Sequence, residues 1–559
     1  MSRLDTLLDG LLVRAFNHGH LLALRPAWRR FVRTAEDPRE AQAERLAAAL
    51  ARLPGTAFAR AHPGLLRART LRELQDAVPV RDMDDFAPWI ARMVAGERDV
   101  LVREPLRCFE PSSGSTAAAK WVPYTAGLIA EFSAATGAWL YDLLRRRPAL
   151  RSATAYWSLS PLARRPARTP GGTPIGLADD TEYLPPAVRG LVRRILPVPP
   201  AVARLETIEA CRRASLHYLL ADHRLGFVSV WSPSFLGLLL AQARAERELL
   251  AEGLARGAPL VEGPGARGLP RTAPDPLRAA LVRAALADPD PAAWSAIWPR
   301  WGLVSCWADA AAARQLPELL AALPPAVEVQ PKGLLATEGV VSIPLLGHEG
   351  GVLALGSHLL ELEPVDRSGP AVAPHEAERG GRYAPVLTTA GGLVRYRLRD
   401  EVEVLGRWRQ APRVRFRGRL DGGSDLAGEK LSPARVEAAL AAALALQATP
   451  LPPRFALLAP LVRERPPGYA LFVEPGPASS LDLPRLARDL EAELARGPHY
   501  AQCRALGQLG PLRAVAVQDG ARRFEAALVA RGQQAGAIKP PSLHAGDFWP
   551  EALSNEATW

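Results

Sequence analysis

Between residues 153 and 323, short β-rich runs alternate with helical ones, and few folds accept that alternation. Strands are predicted over 153–159, 226–231 and 303–307, and helices over 208–221, 235–250 and 310–323. Strands that return in the same direction need a crossover, usually a helix, so the pattern predicts α/β layers with a largely parallel sheet. Ahead of it, residues 1 to about 100 read as mainly helical scaffold. Apolar residues fall at helical spacing over 41–53, and 86–93 forms a second amphipathic turn and helix. Another helix is predicted over 127–144, and the Gly- and Pro-rich stretch 257–276 reads as a surface loop. From 340 to 405 the pattern turns to Gly-punctuated strands such as 351–355 and 358–362. Beyond Pro433 comes a compact α/β pattern, with helices over 434–446 and 484–496 and strands over 455–458, 469–473 and 512–517. A chain of 559 residues is too long for one core, so two or three domains are expected.

The net charge of +11 raises the question of nucleic acid. The basic clusters, at Arg145-Arg146-Arg147, at Arg164, Arg165 and Arg168, and at Arg193-Arg194, are scattered and lack interleaved aromatics, so they read as solvated faces. The N-terminal apolar stretch is interrupted by Asp5, Asp9 and Arg14, unlike a secretory signal, and no run approaches the length of a membrane span. Cys108, Cys211, Cys306 and Cys503 lie far apart without metal or redox spacing, which fits a reduced cytoplasm. Only four of the 69 basic residues are lysine: Lys120, Lys332, Lys430 and Lys539. An ammonium on a flexible stem is not interchangeable with a guanidinium, so these four mark places to look for chemistry.

Four polar stretches interrupt the scaffold. In the first, Ser112, Ser113, Gly114, Ser115 and Thr116 put four hydroxyls and a glycine into five residues, with Lys120 close behind. Such a run either cradles a phosphate with backbone N–H groups and hydroxyls or forms a plain turn. The second is the pair Thr337-Glu338 at the end of an apolar strand. A carboxylate there suits Mg²⁺ and the threonine a phosphate, although a helix cap uses the same residues. The third, Leu387 through Asp400, ends in an aspartate suited to ribose hydroxyls or to a surface pair with arginine. The fourth, from Gly418 and Arg419 through Asp421, Gly428 and Lys430 to Pro433, is glycine-rich and leads into a helix.

Taken together, these stretches resemble the adenylate-forming superfamily that includes firefly luciferase and acyl-CoA ligases. They most resemble its auxin-responsive (Gretchen Hagen-type) acyl acid amido synthetase branch in the bacterial form. The hydroxyl loop with Lys120 and Pro123-Tyr124-Thr125 is similar to that family's first motif, and Thr337-Glu338, with Ile297-Trp298-Pro299 ahead of it, to its second. Thr388-Thr389, Gly391-Gly392 and Arg395-Tyr396-Arg397-Leu398-Arg399-Asp400 resemble the third. Gly418 through Pro433 resembles the superfamily hinge, and Gln534 to Lys539-Pro540 the C-terminal lysine loop. The resemblance runs from about residue 45 to 545. It departs at Ala117 and Ala118, where the family has glycine, at Arg399, which replaces a glycine, and at Pro541, where plant members often carry arginine.

The resemblance implies a large N-terminal adenylate-forming domain over 1–417 made of layered β-sheets and helices, a hinge over 418–433, and a smaller, mobile α/β domain over 434–559. It implies a monomeric, cytoplasmic ligase that uses ATP and Mg²⁺ to activate a carboxylic acid as acyl-AMP and passes the acyl group to an amine, of an amino acid for instance. Ser112, Ser113, Gly114, Ser115 and Thr116 would then hold the β- and γ-phosphates, with Lys120 as an added charge. Thr337 would hold the α-phosphate, Glu338 the Mg²⁺, and Asp400 the ribose with help from Arg419. Lys539 becomes the catalytic cation, Asp421 the pivot, and Lys430 a contact to nucleotide or pyrophosphate, while Lys332 reads as structural. By analogy of position, Ser232 and Phe235 line the acyl pocket, with core packing as the alternative and Trp157 as a weaker candidate. Other classes stay open: an acyl-CoA ligase with a thiol acceptor, and a non-catalytic binding protein with a degenerate nucleotide site.

Overall fold

The computed structural model describes residues 3–553 apart from 113–119, 159–166, 177–194, 448–452, 477–480, 506–508 and 534–537, and positions 232, 368, 421, 425, 427, 428, 430, 465 and 532. The chain opens with helices Arg3–Glu36, Pro38–Arg52, Ala57–Ala61, Leu71–Ala77 and Met83–Val94. Their starts are written in the sequence: Asp37 caps the second with proline behind it, and Thr70 and Asp82 form capping boxes with Glu73 and Asp85. Helix Ala126–Arg146 follows the hairpin of strands Leu106–Ser112 and Lys120–Thr125.

The alternation after residue 153 builds a four-stranded sheet, Thr154–Trp157, Leu225–Ser229, Leu303–Cys306 and Glu328–Pro331, all parallel and paired in chain order. Side chains alternate between its faces. Phe227 and Leu303 join the core around helix Ala126–Arg146, whereas Val228, Val304 and Cys306 join the core formed with helices Ile208–Ala221 and Pro233–Ala245. Two predicted helices come out differently. The run over 235–250 is two helices, Pro233–Ala245 and Arg247–Arg256, because Glu246 leaves helical geometry (φ −100°, ψ 19°), its carboxylate gripped by both nitrogens of the Arg213 fork at 2.6 and 2.8 Å. The run over 310–323 begins as a 3₁₀ turn, Ala310–Gln315, and is α-helical only over Leu316–Ala322.

A mostly antiparallel sheet follows, in the order Ser342–Pro344, Gly351–Leu353, Ala411–Arg419, Asp400–Trp408, Arg382–Thr388 and Leu359–Pro364, with Tyr396–Arg397 paired to Arg382–Thr388. The last segment has its own sheet: Phe455–Leu461 antiparallel to Gly468–Glu474, and Arg513–Ala516 parallel to the latter. Helices Pro433–Leu446 and Leu483–Leu494 bury one face of it, and Gly520–Val529 and Trp549–Leu553 the other. Pro498–Ala505, Gly520–Val529 and Trp549–Leu553 are helices the sequence pattern does not call for; the last is seated by a stack of Trp549 on Phe524 at 4.4 Å. All four cysteines are buried and none forms a disulfide, and among the described residues no helix is long and apolar enough to cross a membrane.

Candidate active site

Three of the polar stretches meet through hydrogen bonds. Strand Lys120–Thr125 leaves the hydroxyl loop, with Ser112 opposite Lys120 at the mouth of the hairpin. At its far end the Tyr124 hydroxyl donates to the Thr337 carbonyl (2.8 Å) and Thr125 Oγ1 to the Ala390 carbonyl (3.1 Å). Pro123-Tyr124-Thr125 thus ties the first stretch to the second and third. Ser113, Gly114, Ser115 and Thr116, with Ala117 and Ala118, lie outside the described residues.

Thr337 and Glu338 form the turn of a small hairpin, Leu335–Ala336 with Gly339–Val340. The Glu338 carboxylate is buried and accepts from the Tyr396 hydroxyl at 2.9 Å. From behind, the Val340 N–H donates to His358 Nε2 (3.0 Å). That backbone donor makes Nε2 an acceptor, so the ring proton sits on Nδ1 and points at Glu131 Oε2, 2.8 Å away. Glu131 also accepts from the Ala390 N–H (2.9 Å) and pairs with Arg52 (3.0 Å). The packing leaves no room at Gly339, where a Cβ would fall 2.9 Å from His358 Nε2.

The third stretch is anchored by its arginines. Arg395, buried and in the left-handed region at φ 53°, forms a two-pronged pair with Glu361 at 2.9 Å on each nitrogen and donates to the Val78 carbonyl. Arg397 pairs with Glu363 (3.1 Å), and Arg399 with Asp82 (2.7 Å). The arginine that replaces the family's glycine is therefore tied to the N-terminal helices. Asp400 is buried and opens strand Asp400–Trp408 directly across the ladder from Arg419. The Gly391-Gly392 turn passes tightly under residue 101: Gly392 has φ +90°, and a Cβ there would lie 2.7 Å from that of Leu101.

Lys539 arrives from the C-terminal segment. Its ammonium lies 3.5 Å from the ring centre of Trp307 and 5.3 Å from that of Phe416. Trp307 follows parallel strand Leu303–Cys306, and Phe416 belongs to strand Ala411–Arg419. The lysine loop is fastened just beyond: the Leu458 N–H donates to the Ser542 carbonyl, the His544 N–H to the Leu458 carbonyl, and Ser542 Oγ to the Pro433 carbonyl. Lys332 stands at the same edge of the parallel sheet, its ammonium donating to Ser229 Oγ at 2.7 Å. Phe235 lies on the opposite face, in the core with Val228 and Val304 and under the Arg212 guanidinium, so core packing is the reading that describes it. Ser232, Asp421 and Lys430 lie outside the described residues.

Sequence reasoning passed over Glu131, His358 and Tyr396. Tyr396 lies inside a quoted motif, and Glu131 is one of two carboxylates, with Asp142, in a mostly apolar helix, a signal that was available. His358 carries no local signature; only the fold brings it behind residue 340.

A large layered α/β body whose motif-bearing turns converge, faced by a lysine loop from a smaller α/β unit, is the plan of an adenylate-forming enzyme. Residues 27–324, 351–419 and 435–545 match, in turn, the N-terminal, central and C-terminal domains of the GH3 family. The chain belongs to the GH3 family. Its fold is similar to that of the GH3.15 acyl acid amido synthetase, with a TM-score of 0.78 over 93% of each chain at 19% identity. It is likewise similar to the AtGH3.15 acyl acid amido synthetase in complex with 2,4-DB, with a TM-score of 0.81 over 95% of this chain and 96% of that one at 17% identity. No curated protein matched the sequence in a direct comparison.

Proposed function

We propose that this chain is an ATP-dependent acyl acid amido synthetase. A carboxylate attacks the α-phosphorus of ATP to give acyl-AMP and pyrophosphate; an amine then attacks the acyl carbon and AMP leaves. The observation that carries the reading is the hydrogen-bonded junction of Tyr124, Thr337, Glu338 and Tyr396, which draws three family motifs into one place. Negative charge gathers around the phosphorus in the first step, so the residues act mainly by positioning and electrostatics. In this reading Ser112, Ser113, Gly114, Ser115 and Thr116, with Lys120, hold the β- and γ-phosphates and Thr337 the α-phosphate. Asp400 takes the ribose hydroxyls beside Arg419, and Lys430 touches nucleotide or pyrophosphate. Lys539 bridges carboxylate and α-phosphate.

Mg²⁺ fits the donor set. Among the described residues no cluster of three or more metal-ligating side chains exists, and a buried carboxylate at Glu338 suits a hard cation that takes its remaining ligands from phosphates and water. Held there, the ion would neutralise charge on the phosphates. Residues 1–417 and 434–559 act as two domains joined by 418–433. Glu429 and Ser424 are both hydrogen-bonded to the Tyr469 hydroxyl, which ties them to the C-terminal sheet. That supports a pivot ahead of residue 424, at Asp421, which withdraws Lys539 after adenylation. Four buried cysteines outside any disulfide agree with a cytoplasmic setting. The test is acid-dependent exchange of pyrophosphate into ATP across a carboxylic-acid panel, followed by mass spectrometry with mixed amino acids and with coenzyme A. Amide products are expected; thioesters alone, or no exchange, would overturn the assignment.

A further inference from the structure

The face of the parallel sheet that looks toward helix Ala126–Arg146 carries a row of side chains in register near the C-terminal strand ends: Trp157, Ser229, Ser305 and Gln330. Two residues further on, and so on the same face, come Trp231, Trp307 and Lys332. The rings of Trp231 and Trp307 lie 5.5 Å apart, and Lys332 stands over Trp231 at 5.0 Å and over Trp139 at 5.5 Å. Among the described residues its polar partner is one hydroxyl, Ser229 Oγ, and no carboxylate pairs with it. Gln330 accepts from the Trp139 indole N–H at 3.0 Å, which fixes Oε1 as that acceptor and leaves Nε2 buried without a partner. Ser305 Oγ, equally buried, has none either. An ammonium, an amide NH₂ and a hydroxyl therefore cluster with unmet hydrogen bonds where open α/β sheets bind their ligands. Enclosing a positive charge without its counter-charge is costly, and a bound anion removes the cost.

We propose that Lys332, Gln330 and Ser305 form a subsite for a substrate carboxylate other than the one being activated. This rests on the amido synthetase reading. The activated carboxylate loses its charge on becoming acyl-AMP, so a fixed ammonium suits a carboxylate that stays ionised through both steps. Two substrates can supply it: an acyl acid with a second carboxylate at its far end, or the amino acid acceptor through its α-carboxylate. The tryptophans between Lys332 and Lys539 supply flat apolar walls for the intervening carbon skeleton.

The test is calorimetric binding, without turnover, to wild type, Lys332→Met and Ser305→Ala. Glutarate and terephthalate are compared with their monoamides, and phenylalanine with phenethylamine. Wild type is expected to bind the carboxylate-bearing member of one set at least tenfold more tightly than its match, and the set that shows this names the source. Lys332→Met should erase the preference, and Ser305→Ala, the milder change, should reduce it a few-fold. Equal binding of both members by wild type, or equal weakening of both by Lys332→Met, overturns the subsite; so does a loss confined to ATP affinity, which assigns Lys332 to the nucleotide. Absence of pyrophosphate exchange with every acid overturns the parent reading instead and leaves the binding comparison to decide the subsite by itself.

Discussion

Arg395 shows how much the site asks of single residues. Its left-handed backbone is a conformation that side chains rarely adopt, and it persists because Glu361 and the Val78 carbonyl hold the buried guanidinium. The neighbouring Tyr396 reaches Glu338 from that strained corner. Arg395→Ala leaves the buried Glu361 carboxylate with the Gln75 amide but without its counter-charge and should cost about 3–5 kcal/mol in urea unfolding. Lys332 makes a second prediction, on pH. Burial lowers its ammonium from 10.5 to about 8, so between those values the unfolded chain keeps a proton the folded chain has released, and stability rises with pH. Below about pH 8 the penalty is present in full, roughly 3 kcal/mol. Lys332→Met should therefore be more stable than wild type at pH 7 and lose that alkaline gain, as chemical denaturation at pH 7 and pH 9.5 will show. The lysine count alone singled out Lys332 in the sequence; its tryptophan setting, built from three separate elements, did not show there.

The hairpin of Thr337 and Glu338 is an element too short to hold itself, with two residues in each strand. It is fixed through the chain from the Val340 N–H to His358, Glu131 and Arg52. Gly339→Ala forces the turn away from His358, and a shift on the order of 1 Å in a positioned group can cost about 10²-fold in rate. Pyrophosphate exchange should fall accordingly while the melting transition stays cooperative; an unimpaired exchange rate would show that the turn's placement does not matter. Three of the four strands of the parallel sheet were legible in the sequence to within one or two residues, Leu225–Ser229 and Leu303–Cys306 because they are buried on both faces and read as compact apolar runs. The fourth, Glu328–Pro331, is partly exposed and polar and carried no such signal. The break at Glu246 was not, since it depends on Arg213, which meets it only in the fold. The small hairpin also lies below what periodicity can resolve, and the motif residues, not the pattern, marked it.

Across the whole molecule, the C-terminal segment has its own cores and meets the body at charged points. One is Arg212 with Glu525, 3.5 Å apart and both mostly buried. It joins helix Ile208–Ala221 to helix Gly520–Val529 while Lys539 rests on Trp307. Glu525→Gln should weaken this docked arrangement by about 1 kcal/mol and slow adenylation about fivefold, with a smaller effect on amide formation from supplied acyl-AMP. The two-part layout was legible from the glycine-rich stretch after Gly418 and the α/β pattern behind it. The position of Lys539 against an aromatic wall depends on how the parts meet, which no local pattern records. The most direct test of the account is Lys539→Ala, assayed for acid-dependent pyrophosphate exchange and, separately, for aminolysis of preformed acyl-AMP. The account predicts a loss of about 10²–10³-fold in exchange with aminolysis retained; exchange at the wild-type rate would contradict it.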